Sequence, residues 1–343
     1  MCIRDSIYIA DGGSNFTTGN STIRKITKAT GIITTVAGTG IAGYSGDGGL
    51  ASAAQIANPK GICIDNAGNL YFADHDNNRI RKITAATGKI STIAGDGTTG
   101  HTGDGGPATT AQLSAPIAIC MNSAGDIFFS DQGGAYIRKI DHSTGMIYAY
   151  AGNGSAFSGD GGPAATAGLG EILGMCTDGH DDIYCDDYSC SCRKINHNTG
   201  IINVVAGDGT ASGFNGDGVA TLSYLSEPAG LCVNPATGDI IIADQFNARI
   251  RKATQPGYVP TTVGYVPATP HASVFPNPST GVITLSAAEY ANSSVTVFNV
   301  AGDMVFSSDL TSNQTTINLT NQPEGVYFLT FSTPNGKEVQ NVT

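Results

Sequence analysis

Short apolar runs separated by turn residues follow one another along most of the chain. Between Gly61 and Gly95 the runs are GICID, NLYFAD, RIRKI and ISTIAG. The tripeptides NAG and ATG between them are typical of tight hairpins. The first two runs are apolar at most positions, whereas RIRKI alternates. This stretch predicts four antiparallel strands, of which the first two pack on both faces and the third lies nearer water.

The four-strand pattern repeats, and its most regular part is an Arg-Lys pair in the third strand. The steps between successive pairs are 57, 57, 55 and 58 residues. The pairs begin at Arg24, Arg81, Arg138, Arg193 and Arg251. Four antiparallel strands per repeat are typical of a propeller blade. We predict an all-β chain with a β-propeller of about five four-stranded blades over residues 7–265, in which the first blade lacks its innermost strand.

A Gly-Asp-Gly turn also recurs once per repeat, as SGDGG, TGDGG, SGDGG and NGDG. It falls in the segment that joins the last strand of one blade to the first strand of the next. Its aspartates are Asp47, Asp104, Asp160 and Asp217. One interpretation is a mouth that binds Ca²⁺ or a polar ligand, because hard cations prefer several oxygen ligands. The other is a self-capped turn, since glycine adopts positive φ and aspartate bonds its own backbone.

A second carboxylate ends the second strand of every repeat. These residues are Asp11, Asp74, Asp131, Asp187 and Asp244. We expect them to hold the turn into the third strand through hydrogen bonds to the backbone, although Asp74 and Asp76 are also candidates for a ligand or Ca²⁺ site. A metal cluster of His75 and His101 with Asp74, Asp76 and Asp104 is a further hypothesis.

The repeated arginines and lysines permit two interpretations. They could form a basic patch that binds anions, or lie on a solvated strand whose charges pair with neighbouring acids. The formal net charge of −11 favours the second and argues against nucleic acid or anionic lipid as a partner. No run of about 20 apolar residues is present, so we predict no transmembrane segment.

Cysteines recur as well. Four of them, one per innermost strand, are predicted to be small buried apolar residues: Cys63, Cys120, Cys176 and Cys232. Cys185 and Cys192 replace apolar residues on either side of one hairpin. A two-residue loop at Tyr188 and Ser189 would place them opposite each other, so either a cross-strand disulfide or two free packed thiols is expected.

The repeat stops after Tyr265. Residues 266–272, VPATPHA, read as a proline-bearing linker. Short alternating strands then follow over residues 273–343, among them VITLSA, SVTVFNV and GVYFLTFST, and they predict a small Ig-like β-sandwich. At the other end, residues 1–6, MCIRDS, read as a foreign or unstructured leader, and we expect an N-terminally truncated fragment.

Two parts of the chain resemble known families. The stretch from Thr35 to Ile83, with TVAGTG, SGDGG and NRIRKI, resembles NHL-repeat propellers of secreted bacterial proteins. FPNPSTG, VFNVAGDMV and PEGVYFLTF resemble the C-terminal sorting domain of the type IX secretion system of Bacteroidota-type bacteria. The motif residues are Pro276, Asn277, Pro278, Gly281, Gly325 and Tyr327. This resemblance implies export by the type IX machinery to a secreted or outer cell-surface location.

Two functions follow as hypotheses. The first is a non-catalytic propeller that binds an extracellular protein or glycan, because nearly identical repeats suit a scaffold. The alternative is an enzyme of the lyase, lactonase or hydrolase type at the channel mouth, as in related propellers. Such a site needs unlike acids, bases or metal ligands, whereas the innermost strands GICID, IAICMN, LGMCTD and GLCVN contain no His or Glu. We therefore predict no catalytic residues and no cofactor, with Ca²⁺ as the candidate ion.

Overall fold

The computed structural model describes residues 2–3, 6–12, 20–131, 133, 135–155, 157–187 and 190–255, and, in the C-terminal region, residues 273–275, 282–286, 293–298, 304–310, 314–320, 327–333 and 336–342. The chain divides into two compact units, Met1–Val263 and Gly264–Thr343. The predicted linker at residues 266–272 lies outside the described residues. Among those residues, no helix has the length and apolar character needed to span a membrane.

The first unit is a β-propeller of five blades within the described part of the chain. Blade 1 contains β1 (Cys2–Ile3), β2 (Ser6–Asp11), β3 (Thr22–Thr27) and β4 (Ile33–Ala37). Blade 2 contains β5 (Pro59–Ile64), β6 (Leu70–Asp74), β7 (Arg79–Thr84) and β8 (Lys89–Ala94). Blade 3 contains β9 (Pro116–Met121), β10 (Ile127–Asp131), β11 (Tyr136–Ile140) and β12 (Ile147–Ala151).

Blades 4 and 5 complete this unit. Blade 4 contains β13 (Met175–Thr177), β14 (Ile183–Asp187), β15 (Ser191–Ile195) and β16 (Ile202–Ala206). The described strands of blade 5 are β17 (Pro228–Val233), β18 (Ile240–Asp244) and β19 (Arg249–Ala253). Short 3-10 turns lie in the connections between blades, at Ala51–Ala53, Ala108–Thr110, Ala164–Thr166 and Ala220–Leu222. Another, His75–Asn77, lies between β6 and β7 of blade 2.

The all-β propeller prediction is confirmed, with one correction in blade 1. Its innermost strand is not absent but is two residues long and comes from the leader, which we expected to be unstructured. Cys2 pairs with Ile7, and Ile3 pairs with Ser6. This pairing covers part of the inner edge of β2, whose backbone groups would otherwise have no strand partner there.

The propeller core lies between neighbouring blades. Ile23, Ile56 and Phe72 are fully buried between blades 1 and 2, and Ile80 and Phe129 are fully buried between blades 2 and 3. The inner strands of blades 2, 3 and 4 are apolar on both faces because each of these blades packs against two others.

The connections that enter blades 2, 3 and 4 are each bound to the outer strand of that blade. In the connection from blade 1 to blade 2, Gly48 N–H donates to Ile90 O at 2.8 Å, and Ile90 N–H donates to Gly49 O at 3.0 Å. Gly46 and Gly48 have φ values of 90° and 81°, which other residues rarely adopt. Equivalent pairs join Gly105 and Gly106 to Ile147, and Gly161 and Gly162 to Ile202. The glycine-aspartate turn recurs because this connection recurs.

The two ends of the propeller differ in their loops. We call the end that carries the β5–β6, β9–β10, β13–β14 and β17–β18 turns the hairpin end. The opposite end, where the innermost strands begin after each connection, is the crossing end. At the hairpin end the inner strands turn tightly, and at the crossing end the carboxylates that finish the second strands lie beside the incoming connections.

The second unit contains two antiparallel sheets, as expected for a small Ig-like sandwich. One sheet has the order β20 (Ser273–Phe275), β21 (Val282–Ser286) and β24 (Gln314–Asn318). The other has the order β23 (Met304–Leu310), β22 (Ser293–Phe298), β25 (Tyr327–Thr333) and β26 (Gly336–Val342). Val295, Val297 and Ile317 are fully buried, which gives this unit a core of its own. Of the predicted motif residues, Pro276, Asn277, Pro278, Gly281 and Gly325 lie outside the described residues, and Tyr327 begins β25.

The structure corrects the cysteine hypothesis. Asp187 pairs with Ser191, so the loop holds three residues instead of two, and the register moves by one. Cys185 therefore lies opposite Arg193, and Cys192 lies opposite Asp186. Because neighbouring positions on paired strands point to opposite faces, the two sulfurs face different blades, and both thiols are free and buried.

The burial of each of the four repeated cysteines depends on whether a neighbouring blade covers it. Cys63 and Cys120 are buried as predicted, and Cys176 is half-buried. Cys232 is exposed, which corrects the expectation for this residue. It lies on β17, where the described part of the chain places no further blade against that face.

Alkylation tests these cysteine assignments. In the native protein without reductant, iodoacetamide should modify Cys232 while Cys185 and Cys192 stay protected, because burial raises the pKa of both thiols. After denaturation without reductant, Cys185 and Cys192 should both become alkylated, as read by peptide mass spectrometry. A disulfide-linked peptide that joins them would contradict the register described above.

Candidate functional site

A buried arginine connects three parts of each complete blade. Arg81 is fully buried. Its Nη1 donates to Asp74 Oδ2 at 3.0 Å, and its Nη2 donates to Asp47 Oδ1 at 2.7 Å and to Ser45 O at 3.2 Å. We call this set, an arginine with the aspartate of the preceding connection and the aspartate that ends the second strand, the arginine clamp. It ties the connection to the interior of the blade that it enters.

The same clamp recurs in blades 3, 4 and 5, and one of its two pairs is present in blade 1. Arg138 contacts Asp104 at 2.8 Å and Asp131 at 3.3 Å. Arg251 lies 3.2 Å from Asp217 and 3.5 Å from Asp244. In blade 4 both separations are longer: Arg193 lies 3.8 Å from Asp160 and 3.7 Å from Asp187. In blade 1, Arg24 lies 3.7 Å from Asp11.

The arginine clamp corrects the expectation that these arginines lie on a solvated strand. They do pair with acids, as the second interpretation required, but Arg81, Arg138 and Arg193 are almost completely buried. A buried cation is stable only when it is paired and hydrogen-bonded. The two recurring carboxylates supply that compensation.

The remaining carboxylate oxygens bind the backbone. Asp47 Oδ2 accepts from Thr92 N–H at 3.0 Å. Burial acts to raise the pKa of Asp47, but its bonds with Thr92 and Arg81 outweigh burial and lower it. Asp74 Oδ1 accepts from Ala57 N–H at 2.7 Å, just before the innermost strand of the same blade. The Asp74 carboxylate thus holds the incoming connection, and it makes no bond to the backbone of the described turn into the third strand, where we expected one.

The candidate metal ligands occupy separate places. Asp47, Asp104, Asp160 and Asp217 each belong to a different connection and pair with a different arginine. His75 Nδ1 lies 2.6 Å from Asp76 Oδ1, whereas His101 Nδ1 lies 3.4 Å from Asp131 Oδ2. In the part of the chain that the structure describes, no group of three or more His, Cys, Asp or Glu side chains is arranged to hold a metal ion.

A polar cavity lies at the hairpin end. Its volume is about 310 Å³, and turns of blades 2, 3, 4 and 5 line it. Ile64, Met121 and Pro235 form its apolar wall. Its polar groups include Asp65, Asn122, Ser123, Asp178 and Asp181. We call it the hairpin-end cavity.

Most carboxylates of this cavity already have protein partners. Asp65 accepts from Ala67 N–H, from the backbone and side chain of Asn69, and from the Tyr71 hydroxyl at 3.1 Å. Asp181 accepts from Ser123 N–H at 2.7 Å and from Ser123 Oγ at 2.6 Å, which joins blades 3 and 4. These bonds fix the shape of the wall before any ligand arrives.

Asn122 differs from its counterparts in blades 2 and 4. Asp65 and Asp178 each accept a hydrogen bond from a tyrosine six residues later, Tyr71 and Tyr184. In blade 3 that position is Phe128, which has no hydroxyl. Asn122 Oδ1 accepts from Asp126 N–H at 2.8 Å, while its Nδ2 donates no hydrogen bond to any described residue. Asn122 is only 8% exposed and lines the cavity, so this donor is available to a ligand there.

A second departure from the repeat lies at the crossing end of blade 4. Asp186 occupies the position of Ala73, Ser130 and Ala243 in other blades. It is fully buried, its Oδ1 accepts from Leu173 N–H at 2.7 Å, and its Oδ2 has no hydrogen-bond partner among the described residues. Burial raises the pKa of Asp186 to about 8, and repulsion by Asp187 and Glu171 adds to this effect.

The surroundings of Asp186 explain its burial. A Cβ at Gly174 would lie 2.5 Å from Gly230 Cα and 2.8 Å from Asp186 Oδ2, so blades 4 and 5 approach too closely here for a side chain. At the equivalent place in blade 3, Ser130 Oγ accepts from Ala118 N–H and donates to Ile172 O at 3.1 Å. A protonated Asp186 has the same capacity to accept and to donate.

Our sequence analysis missed both Asn122 and Asp186. The signal for Asp186 was visible, because it is the only acid among Ala10, Ala73, Ser130, Asp186 and Ala243. The signal for Asn122 was weaker. To find it, one must compare two positions across the blades, the turn residue itself and the residue six places later.

Family models match two parts of the chain. The model of the secretion system C-terminal sorting domain matches residues 273–343. The Teneurin NHL domain model matches residues 42–99. Both resemblances expected from the sequence are therefore confirmed.

Individual relatives agree with the propeller assignment. Protein SUPPRESSOR OF QUENCHING 1 of Arabidopsis thaliana is 28% identical over 60% of this chain and 20% of its own length. Human NHL repeat-containing protein 2 is 25% identical over 59% of this chain and 32% of its own length. The chain thus spans a third or less of these two relatives. A solved auxiliary nutrient binding protein from Bacteroides thetaiotaomicron has a TM-score of 0.52 at 17% identity, covering 72% of this chain and 56% of that one, which indicates a shared fold.

The titration of Asp186 gives a testable pH dependence. In the unfolded chain an aspartate has a pKa of about 3.9, whereas Asp186 has a folded pKa of about 8. Between these values the folded state keeps a proton that the unfolded state has lost. The free energy of unfolding of the wild type relative to Asp186→Asn should therefore fall by about 1.4 kcal/mol per pH unit from about pH 4 to 8, then level off.

Urea unfolding of the propeller at several pH values measures this difference. Asp65→Asn is the matched control. Because the pKa of Asp65 is lowered, its contribution is lost only on acidification and should be constant from pH 5 to 8. An Asp186→Asn curve parallel to the wild type across that interval would contradict the assignment of Asp186 as a protonated buried acid.

Proposed function

Because the chain is an NHL-repeat β-propeller followed by a type IX secretion sorting domain, exported to the medium or the outer cell surface, we propose that it is a non-catalytic binding protein. In this proposal the type IX machinery exports the chain, and the propeller binds an extracellular glycan or protein at the hairpin-end cavity. The Gly-Asp-Gly turns serve to hold the blades together.

The observation that carries this proposal is the hairpin-end cavity itself. Turns of four blades converge on it, so its geometry depends on the assembled propeller. Its volume of about 310 Å³ lies at the lower end of the range for small-molecule pockets. Its walls are held in place by bonds such as that between Ser123 and Asp181, and such preorganisation lowers the entropic cost of binding.

Comparison with the nutrient-binding propeller supports the same role. A protein of this fold from Bacteroides thetaiotaomicron is described as an auxiliary nutrient binding protein. This is an analogy at the level of the fold, and one fold can host many functions. The analogy is consistent with the proposed binding of a ligand outside the cell.

A second candidate function is an enzyme of the lyase, lactonase or hydrolase type acting at the crossing end. One carboxyl group that breaks the repeat favours it, Asp186, which lies close enough to Glu171 to be repelled by it, and the raised pKa of Asp186 is typical of general acids. We rank it second because Asp186 is fully buried. A general acid must come within hydrogen-bond reach of its substrate.

Filling the hairpin-end cavity tests the proposed function. The full chain is screened on glycan and surface-protein arrays, and each hit is titrated against the wild type and Ser123→Tyr. The tyrosine ring occupies the cavity, so affinity should fall at least tenfold. Ser143→Tyr, on an exposed outer turn of the same blade, should bind like the wild type. Binding that Ser123→Tyr retains, or no hit on either array, would contradict the proposal.

A further inference from the structure

The charges and hydrogen bonds of the residues that line the hairpin-end cavity indicate which class of ligand it binds. This inference rests on the proposed function. Three aspartates, Asp65, Asp178 and Asp181, line the cavity, and the described residues that line it include no Lys, Arg or His. Hydrogen bonds from Asn69 and Tyr71 outweigh burial and lower the pKa of Asp65, which keeps it ionised. The resulting negative potential opposes phosphates, sulfates and carboxylates.

The negative charge does not favour a cation to the same degree. Asp65 already accepts four hydrogen bonds, which matches the acceptor capacity of a carboxylate. Asp178 accepts from two backbone N–H groups and from the Tyr184 hydroxyl. An ammonium group would therefore find free lone pairs mainly on Asp181, and one carboxylate would compensate the desolvation of its charge poorly.

What the cavity does present is a buried amide donor without a described partner, some remaining acceptor capacity and an apolar wall. The donor is Asn122 Nδ2, which has no tyrosine hydroxyl beside it because residue 128 is phenylalanine. Asp181 accepts only the two bonds from Ser123 and can accept more. Ile64, Met121 and Pro235 give the apolar wall. A sugar ring has hydroxyl groups on its edge and C–H groups on its faces, and it carries no charge, so it matches all three features.

We propose that the hairpin-end cavity binds an uncharged saccharide unit, with Asn122 Nδ2 donating to a ring or hydroxyl oxygen and Asp181 accepting from a neighbouring hydroxyl. Asn122 determines specificity in this account, because it supplies the unpaired donor. The matching residues of blades 2 and 4 are aspartates that donate nothing when ionised.

The experiment compares neutral and anionic glycans on the full chain. A glycan array carries neutral oligosaccharides beside counterparts of equal length that bear uronate or sulfate groups, and calorimetric titration gives the affinity of each hit. Neutral members should bind, and their anionic counterparts should bind at least tenfold more weakly.

Substitutions at two equivalent positions sharpen the test. Asn122→Asp introduces the residue that blades 2 and 4 have and keeps the acceptor for Asp126 N–H, so the turn should fold normally, as checked by its melting temperature. Affinity for the neutral glycan should fall tenfold or more, because a donor is replaced by an ionised acceptor. Asn122→Ala, which adds no charge, should also weaken binding. Asn234→Asp alters the matching turn of blade 5, does not line the cavity, and should stay within twofold of the wild type.

The outcomes separate this inference from the proposed function. Equal binding of anionic counterparts, unchanged affinity in Asn122→Asp, or a ligand that is not a saccharide but is still blocked by Ser123→Tyr would overturn the saccharide assignment and leave the binding role intact. If Ser123→Tyr blocks no ligand of any kind, both proposals fail.

Discussion

The burial of an arginine in each of blades 2, 3 and 4 is the constraint on which the rest of the propeller depends. A guanidinium removed from water needs nearly all of its donors paired. Arg81 and Arg138 meet this need with one carboxylate from their own blade and one from the connection that enters it. Because each connection must deliver an aspartate to the same depth, its length and its turn are held constant. The Gly-Asp-Gly turn recurs because every connection must meet that requirement.

Because of this constraint, the residues that stabilise the blades differ from the residues that we propose to bind a ligand. The arginine clamps occupy the blade interiors and the connections, and their aspartates are neutralised by arginine. The turns at the hairpin end hold no arginine clamp, so their sequences can vary more freely, although Asp181 also joins blades 3 and 4 through Ser123. Asn122 and Asp181 are variations of this kind. Asp186 is a departure inside the framework, tolerated because a protonated carboxyl can occupy a place that a serine fills in blade 3.

The sequence was sufficient for the architecture because the strand pattern and the turns repeat with a nearly fixed period. It was insufficient for the arginines. RIRKI alternates, and alternation is typical of a half-exposed strand, whereas Arg81 is covered by a connection 34 residues earlier in the chain. The cysteine register failed for a different reason, since a loop one residue longer than assumed moves every side chain to the other face. Asn122 escaped notice because its role depends on the absence of a tyrosine hydroxyl at Phe128.

A double-mutant cycle on Asp104 and Arg138 tests the arginine clamp most directly. The free energies of unfolding of the wild type, Asp104→Asn, Arg138→Met and the double variant are measured by urea denaturation of the propeller. If the pair compensates a buried charge, the double variant should be more stable than the sum of the single effects predicts, with a coupling energy of about 1.5–3 kcal/mol. Effects that add to within about 0.5 kcal/mol would show that the aspartate and the arginine act independently, and would contradict this account of the repeat.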